Sequence, residues 1–180
     1  MIAYAISDPS TLHFDQRLSK DLERFSKTAD WLLYRDKNNP SYPANAHKLV
    51  KKLQKFSSLK FLIHDDDRLA KQLGAAGVHF SSQGIVRLEQ AKKAGLFTVA
   101  SCHSVEEAEL LAYQGIDAVT LSPVFLSPGK GKPLGLSYLR HAVECLSVPV
   151  IALGGIVSYE RMEHVKKCGA FGFASIRYFS

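Results

Sequence analysis

The stretch Val148-Pro149-Val150-Ile151-Ala152-Leu153-Gly154-Gly155-Ile156 runs from a short apolar, β-branched segment straight into a pair of glycines. An uninterrupted apolar run of this length, bounded by turn residues, reads as a strand buried on both faces, as in a parallel sheet. We place that strand over Val148–Ala152. The glycines after it leave no Cβ in the way of a close backbone approach, which suits a bound phosphate. Working outward, similar runs recur at Ile2–Ile6, Trp31–Tyr34, Lys60–Ile63, Gly77–Phe80, Phe97–Ala100, Ala118–Leu121 and Phe171–Ala174. The segments between them carry helical spacing, as in Leu18, Leu22 and Phe25, then Leu49, Leu53 and Phe56. Ser104 followed by Glu107 has the form of a helix-opening capping box, Ser158 caps the next-to-last segment, and Gly169 stops it.

Strands that alternate with helices form parallel βαβ units, which close into a barrel or stay open as a doubly wound sheet. An open nucleotide-binding sheet calls for a Gly-rich turn after its first strand; this chain has Ser7-Asp8-Pro9-Ser10 there, and no GxGxxG or P-loop elsewhere. Eight strand candidates and the glycine pair after the seventh favour a (β/α)₈ barrel, one domain over residues 1–180. Only about six residues follow the last strand, so the expectation is a short barrel lacking its last helix, with apolar surface beside that strand. A homo-oligomer would cover it.

In such a barrel the chemistry gathers in the loops at the strand C-termini. Arg35 and Lys37 follow the second strand and share a direction, which suits a phosphate or pyrophosphate; the alternative is a surface pair bridged to Asp36. His64-Asp65-Asp66-Asp67 follows the third strand, and three successive carboxylates invite Mg²⁺, with Asp65 the ligand and Asp66 or Asp67 a helix cap. His79, mid-strand, reads as a hydrogen-bonded core histidine. Ser101 and His103, two apart, face the site together for substrate contact, whereas adjacent Cys102 and His103 point apart and make a poor catalytic pair. The longest loop, Ser122 to Pro133, reads as a lid on which Lys130 and Lys132 clamp an anion on closure and Ser127 contacts the substrate. Gly154 and Gly155, with Ser175 and Ile176 after the last strand, form a phosphate loop whose donors are backbone N–H groups.

Composition narrows the partners. The formal charge of +6 and pI near 9.2 favour anionic ligands. With no long basic run and no zinc-finger or RNA-binding motif, small phosphorylated metabolites are preferred over nucleic acid. No apolar run is long enough to span a membrane, and the N-terminus reads as a first strand, not a basic leader. Three scattered cysteines, Cys102, Cys145 and Cys168, suggest neither a disulfide framework nor zinc, and fit the cytoplasm.

Taken in order, Ala5-Ile6-Ser7-Asp8, Tyr34-Arg35-Asp36-Lys37, Ile63-His64-Asp65-Asp66, Gly77-Val78-His79-Phe80, Ser101-Cys102-His103-Ser104, Ser122-Pro123-Val124-Phe125 and Ala152-Leu153-Gly154-Gly155-Ile156 resemble the thiamine phosphate synthase/TenI superfamily. The resemblance implies a (β/α)₈ barrel of thiamine biosynthesis. Such an enzyme either joins hydroxymethylpyrimidine diphosphate to thiazole phosphate, releasing pyrophosphate with Mg²⁺, or, in the TenI-like branch, tautomerises a thiazole without metal. It also implies that Arg35, Lys37 and Lys130 hold pyrophosphate, Asp65 holds Mg²⁺, Ser101 lines the pyrimidine pocket and Gly154 with Gly155 holds thiazole phosphate. Departures are equally specific. Leu33 stands for a family Gln, His64 for an Asn, Gly84 falls near the second metal aspartate, Gly129 stands for a lid hydroxyl and Arg177 for a phosphate-loop serine. The TenI-like histidine near Pro123 is absent from Ser122-Pro123-Val124-Phe125. A silent barrel that binds a phosphorylated ligand as a regulator is the remaining reading.

Overall fold

The computed structural model describes every residue except Ser57. Eight parallel strands close into one barrel in chain order: β1 (Ile2–Ile6), β2 (Trp31–Tyr34), β3 (Lys60–His64), β4 (Gly77–Phe80), β5 (Phe97–Cys102), β6 (Ala118–Leu121), β7 (Val150–Leu153) and β8 (Gly172–Ser175). β1 pairs with β8 through Ala3↔Phe173 and Tyr4↔Ala174, which shuts the ring. Between the strands lie α1 (Leu18–Thr28), α2 (Tyr42–Leu53), α3 (Asp67–Leu73), α4 (Leu88–Lys93), α5 (Val105–Tyr113), α6 (Gly135–Cys145) and α7 (Tyr159–Lys167).

Strand alternation sorts the core into two. Tyr4, Ile6, Trp31, Leu33, Leu62, Val99, Ala118, Ile151 and Ala174 fill the barrel interior, while their neighbours in sequence, such as Ala5, Leu32, Ile63, Ala100 and Phe173, pack outward beneath the helices. The helices meet that outer layer with the spaced residues read from the sequence: Leu18, Leu22 and Phe25 of α1 and Leu49 and Leu53 of α2 are all buried. Local capping fixes where helices begin. Asp66, Ser104 and Ser158 accept from the backbone N–H groups of Leu69, Glu107 and Arg161, at the starts of α3, α5 and α7.

After β8 comes a single 3₁₀ turn, Arg177–Phe179. The apolar strip expected beside β8 is covered over Phe173, while Phe171, just before the strand, stays 43% exposed. Phe173 faces outward, yet Phe179 stacks on it at 5.7 Å and Tyr178 meets it edge-on at 4.9 Å, leaving Phe173 only 4% exposed. The chain thus covers Phe173 with two aromatic side chains of its own. No helix among the described residues is long and apolar enough to cross a membrane.

Candidate active site

A cavity of about 750 Å³ opens at the C-terminal ends of the strands. It gathers Arg35, Lys37, Ser101, His103, Ser127, Lys130, Gly154, Gly155, Ser175 and Ile176, which is every site residue read from the sequence except Asp65 and Lys132. The cavity also holds residues that the sequence reading did not assign to it: Asp8, Ser10 and Thr11 from the loop after β1, and His64 and His79 in its wall; Arg177, read as standing for a phosphate-loop serine, lines it too. A signal for the first three was available, because in a barrel the loop after β1 shares the same rim as the other seven.

The lining is strongly cationic. Arg35, Lys37, Lys130 and Arg177 line it, against a single acidic side chain among the described residues, Asp8. Among the described residues none of these four cations has an ion-pair partner, whereas Arg24, Arg87 and Lys92 each have one. The suggested bridge from Arg35 or Lys37 to Asp36 does not form; Asp36 instead accepts from Asn39. Asp8 is held in a turn by Ser10 (N–H 2.9 Å, Oγ 2.6 Å) and Thr11, and it sits between the cations after β2 and the loops after β7 and β8. Unneutralised cations around one cavity are a standing attraction for a multiply charged anion.

The glycine pair does two jobs. Gly154 and Gly155 both have positive φ, +99° and +69°. A Cβ on Gly154 would lie 2.7 Å from Pro123 Cα, and one on Gly155 would lie 2.6 Å from the Leu126 carbonyl. The missing side chains therefore seat the β6–α6 loop, which Val124 N–H and Phe125 N–H pin to the carbonyls of Leu153 and Gly154. Among the described residues, no protein acceptor faces the N–H groups of Gly155 or Ile176, which leaves both free for a ligand oxygen. Ser175 contributes differently: its hydroxyl donates to the Ile156 carbonyl at 2.7 Å and accepts from Tyr178 N–H, tying the two loops together.

Asp65 also has a task of its own. Its two carboxylate oxygens accept from Ser81 N–H at 2.7 Å and Ser81 Oγ–H at 2.6 Å. Asp66 caps α3, and Asp67, nearly buried, lies 2.6 Å from the Arg87 guanidinium in an electrostatic contact rather than an aligned hydrogen bond. Arg87 also donates to the Asp65 carbonyl at 2.8 Å. The charge of the three aspartates is thus met by one arginine, a cap and a serine. At position 84 a Cβ would sit 2.0 Å from Asp65 Oδ1, so Asp65 occupies the space a second acidic side chain would need. No group of three His, Cys, Asp or Glu side chains converges among the described residues. This donor set does not fit a divalent-cation site, which calls for several oxygen ligands free to coordinate.

The histidines are sorted by burial. His79 is pushed down to about 3, by burial first and then by neighbouring His64, and His64 to about 4, by burial first and by Arg35 and Lys37 against the pull of Asp65. Both are neutral at pH 7. In the unfolded chain they take a proton near pH 6.5, so stability from these groups is full above that pH and drains as pH falls toward the folded values. We expect a loss of roughly 2 to 3 kcal/mol per histidine by about pH 4.5, seen as a lower urea midpoint than at pH 7. Equal midpoints at the two pH values would contradict their neutral burial. His103, by contrast, sits exposed at the rim, where its Nδ1–H donates to the Ser122 carbonyl at 2.8 Å.

Known proteins share this architecture. A thiamine-phosphate synthase of Saccharophagus degradans is 34% identical over 160 residues, spanning 85% of this chain and 74% of that protein. One of Latilactobacillus sakei is 34% identical over 155 residues, spanning 79% and 68%. The solved thiamine phosphate pyrophosphorylase of Pyrococcus furiosus superposes with a TM-score of 0.82 at 27% identity, over 97% of this chain and 85% of that one. The family model described as thiamine monophosphate synthase matches residues 3–179, which takes in all eight strands but for Ile2, and the chain belongs to that family.

Proposed function

We propose that this protein makes thiamine phosphate by joining hydroxymethylpyrimidine diphosphate to thiazole phosphate. The observation that carries this reading is the division of the cavity's free anion-binding groups into two sets. Arg35 and Lys37 after β2 form one; Gly155 N–H, Ile176 N–H and Arg177 after β7 and β8 form the other, on the far side of β1, and the loop after β6 adds Lys130. A thiazole tautomerase needs one phosphate site. A condensation that expels pyrophosphate needs two.

The thiazole phosphate sits at the glycine loop, its charge met by backbone N–H groups and Arg177. The diphosphate lies against Arg35, Lys37 and Lys130. As the bond from the pyrimidine methylene carbon to the diphosphate oxygen breaks, the electron pair leaves with pyrophosphate and the thiazole nitrogen forms the new C–N bond. Cations already in place stabilise the charge that develops on the leaving group. With His64 and His79 neutral, the pocket floor adds no competing positive charge, and Ser101 meets the pyrimidine. The carboxylates present do not fit Mg²⁺, since both oxygens of Asp65 are already engaged by Ser81. Three free thiols, two of them buried, support a cytoplasmic setting.

One observation favours a second reading. The commitment of Asp65 to Ser81, with glycine at 84, suits a barrel that binds thiazole phosphate without condensing it, as a TenI-like protein or a regulator. Incubation with both substrates, with and without Mg²⁺, followed by mass spectrometry, separates the two. Thiamine phosphate in either arm supports condensation. None in both arms, from folded protein that binds thiazole phosphate, overturns it.

A further inference from the structure

Below the rim, three polar side chains form a continuous relay through the apolar interior. Tyr4 on β1 is fully buried, and its Oη lies 3.0 Å from Nδ1 of His79 on β4. On the other side of the same ring, His79 Nε2 lies 2.9 Å from Oγ of Ser101 on β5. Tyr4 is walled in by Trp31, 5.4 Å away and edge-on, with Leu62 and Val99 in the same cluster. Among the described residues, Tyr4 and Ser101 hydroxyls have no other hydrogen-bond partner.

Proton positions follow from bookkeeping along the relay. Burial raises the Tyr4 phenol well above its ordinary range, so it keeps its proton. A buried O–H must donate, and His79 Nδ1 is the acceptor within reach. Nδ1 is therefore bare, and the single proton of the neutral imidazole is on Nε2. Nε2–H donates to Ser101 Oγ, so the Ser101 hydroxyl proton cannot turn back to His79. Ser101 lines the cavity, and its O–H points there. The opposite tautomer would strand the Tyr4 proton in an apolar wall.

We propose that Tyr4 and His79 are positioning residues that hold Ser101 as a hydrogen-bond donor toward the ligand, so that the cavity selects a ligand with an acceptor atom there, such as an unprotonated ring nitrogen. The selection rests on the substrate assignment above; the relay itself does not. Neither Tyr4 nor His79 needs to touch the ligand.

The test has two arms. Imidazole ¹⁵N NMR of the ligand-free protein at neutral pH reads the tautomer directly, the His79 signals being assigned by their loss in His79→Gln. Bare Nδ1 and protonated Nε2 are expected; a protonated Nδ1 overturns the proposal. In the second arm, Tyr4→Phe keeps the ring but removes the donor. It should weaken pyrimidine diphosphate binding about tenfold while thiazole phosphate binding holds, and should add nothing further in a Ser101→Ala background. Unchanged pyrimidine diphosphate binding in Tyr4→Phe overturns the proposal, since a purely structural tyrosine would alter melting alone. If the wild-type protein shows the expected tautomer yet binds no pyrimidine diphosphate, the relay stands and the substrate assignment fails.

Discussion

Replacing Arg35 by alanine is expected to slow thiamine phosphate formation by about 10²- to 10³-fold, the loss typical of removing one preorganised group that meets developing charge. Arg35 is half-buried at the end of β2, has no ion-pair partner among the described residues, and is anchored through its backbone N–H to Ser7 Oγ at 3.2 Å. Its backbone is fixed before the ligand arrives and its guanidinium lines the cavity unpaired among the described residues, so truncation removes stabilisation of the departing pyrophosphate more than affinity for the thiazole. The fall should therefore appear in kcat, with KM for thiazole phosphate little changed. Arg35→Lys should recover only part of the rate, because an ammonium keeps the charge but not the two-pronged geometry. A loss under about threefold for Arg35→Ala would place the guanidinium outside the reaction.

Gly154→Ala should destabilise the protein by about 3 to 5 kcal/mol, combining backbone strain with overpacking. At φ +99° an L side chain is strained before any contact is counted. The added methyl would then press on Pro123 at 2.7 Å from its Cα and 2.8 Å from its Cβ. Those atoms belong to a loop base pinned by Val124 and Phe125, so it cannot retreat without giving up both hydrogen bonds. Urea unfolding at pH 7 measures the change. A shift below about 1 kcal/mol would show that the β6–α6 loop yields freely and is not seated by the glycine.

How much of this was legible in the residues varies with the range over which the cause acts. β1, β2, β4 and β6 begin and end where the apolar runs do, since burial on both faces demands uninterrupted apolar sequence. β7 starts two residues later than read, at Val150. Pro149 has no N–H for the ladder and offers only its carbonyl, to Val119 N–H. β5 runs two residues further, to Cys102, because Ser101 and Cys102 pair with Thr120 and Leu121. Strand-end polar residues pointed to the cavity because the barrel rule converts position in a strand into position in space. The aspartate run misled for the opposite reason. Its neutralising partner, Arg87, and its hydrogen-bond donor, Ser81, come from another loop, and nothing in their spacing announces the contact. The cover over β8 was likewise hidden, since Tyr178 and Phe179 fold back onto Phe173 only once the barrel has closed. Arg177 was noted as a departure, yet its place on the cavity wall shows only in three dimensions.

The central claim is that one cavity holds two separate anions at once. Calorimetric titration of the protein with pyrophosphate, alone and after saturation with thiazole phosphate, tests it directly. Two subsites predict that pyrophosphate still binds the saturated protein, one per chain, and that Arg35→Ala abolishes that binding while thiazole phosphate binds as before. Displacement of thiazole phosphate by pyrophosphate, each excluding the other, would contradict the account and leave a single phosphate site.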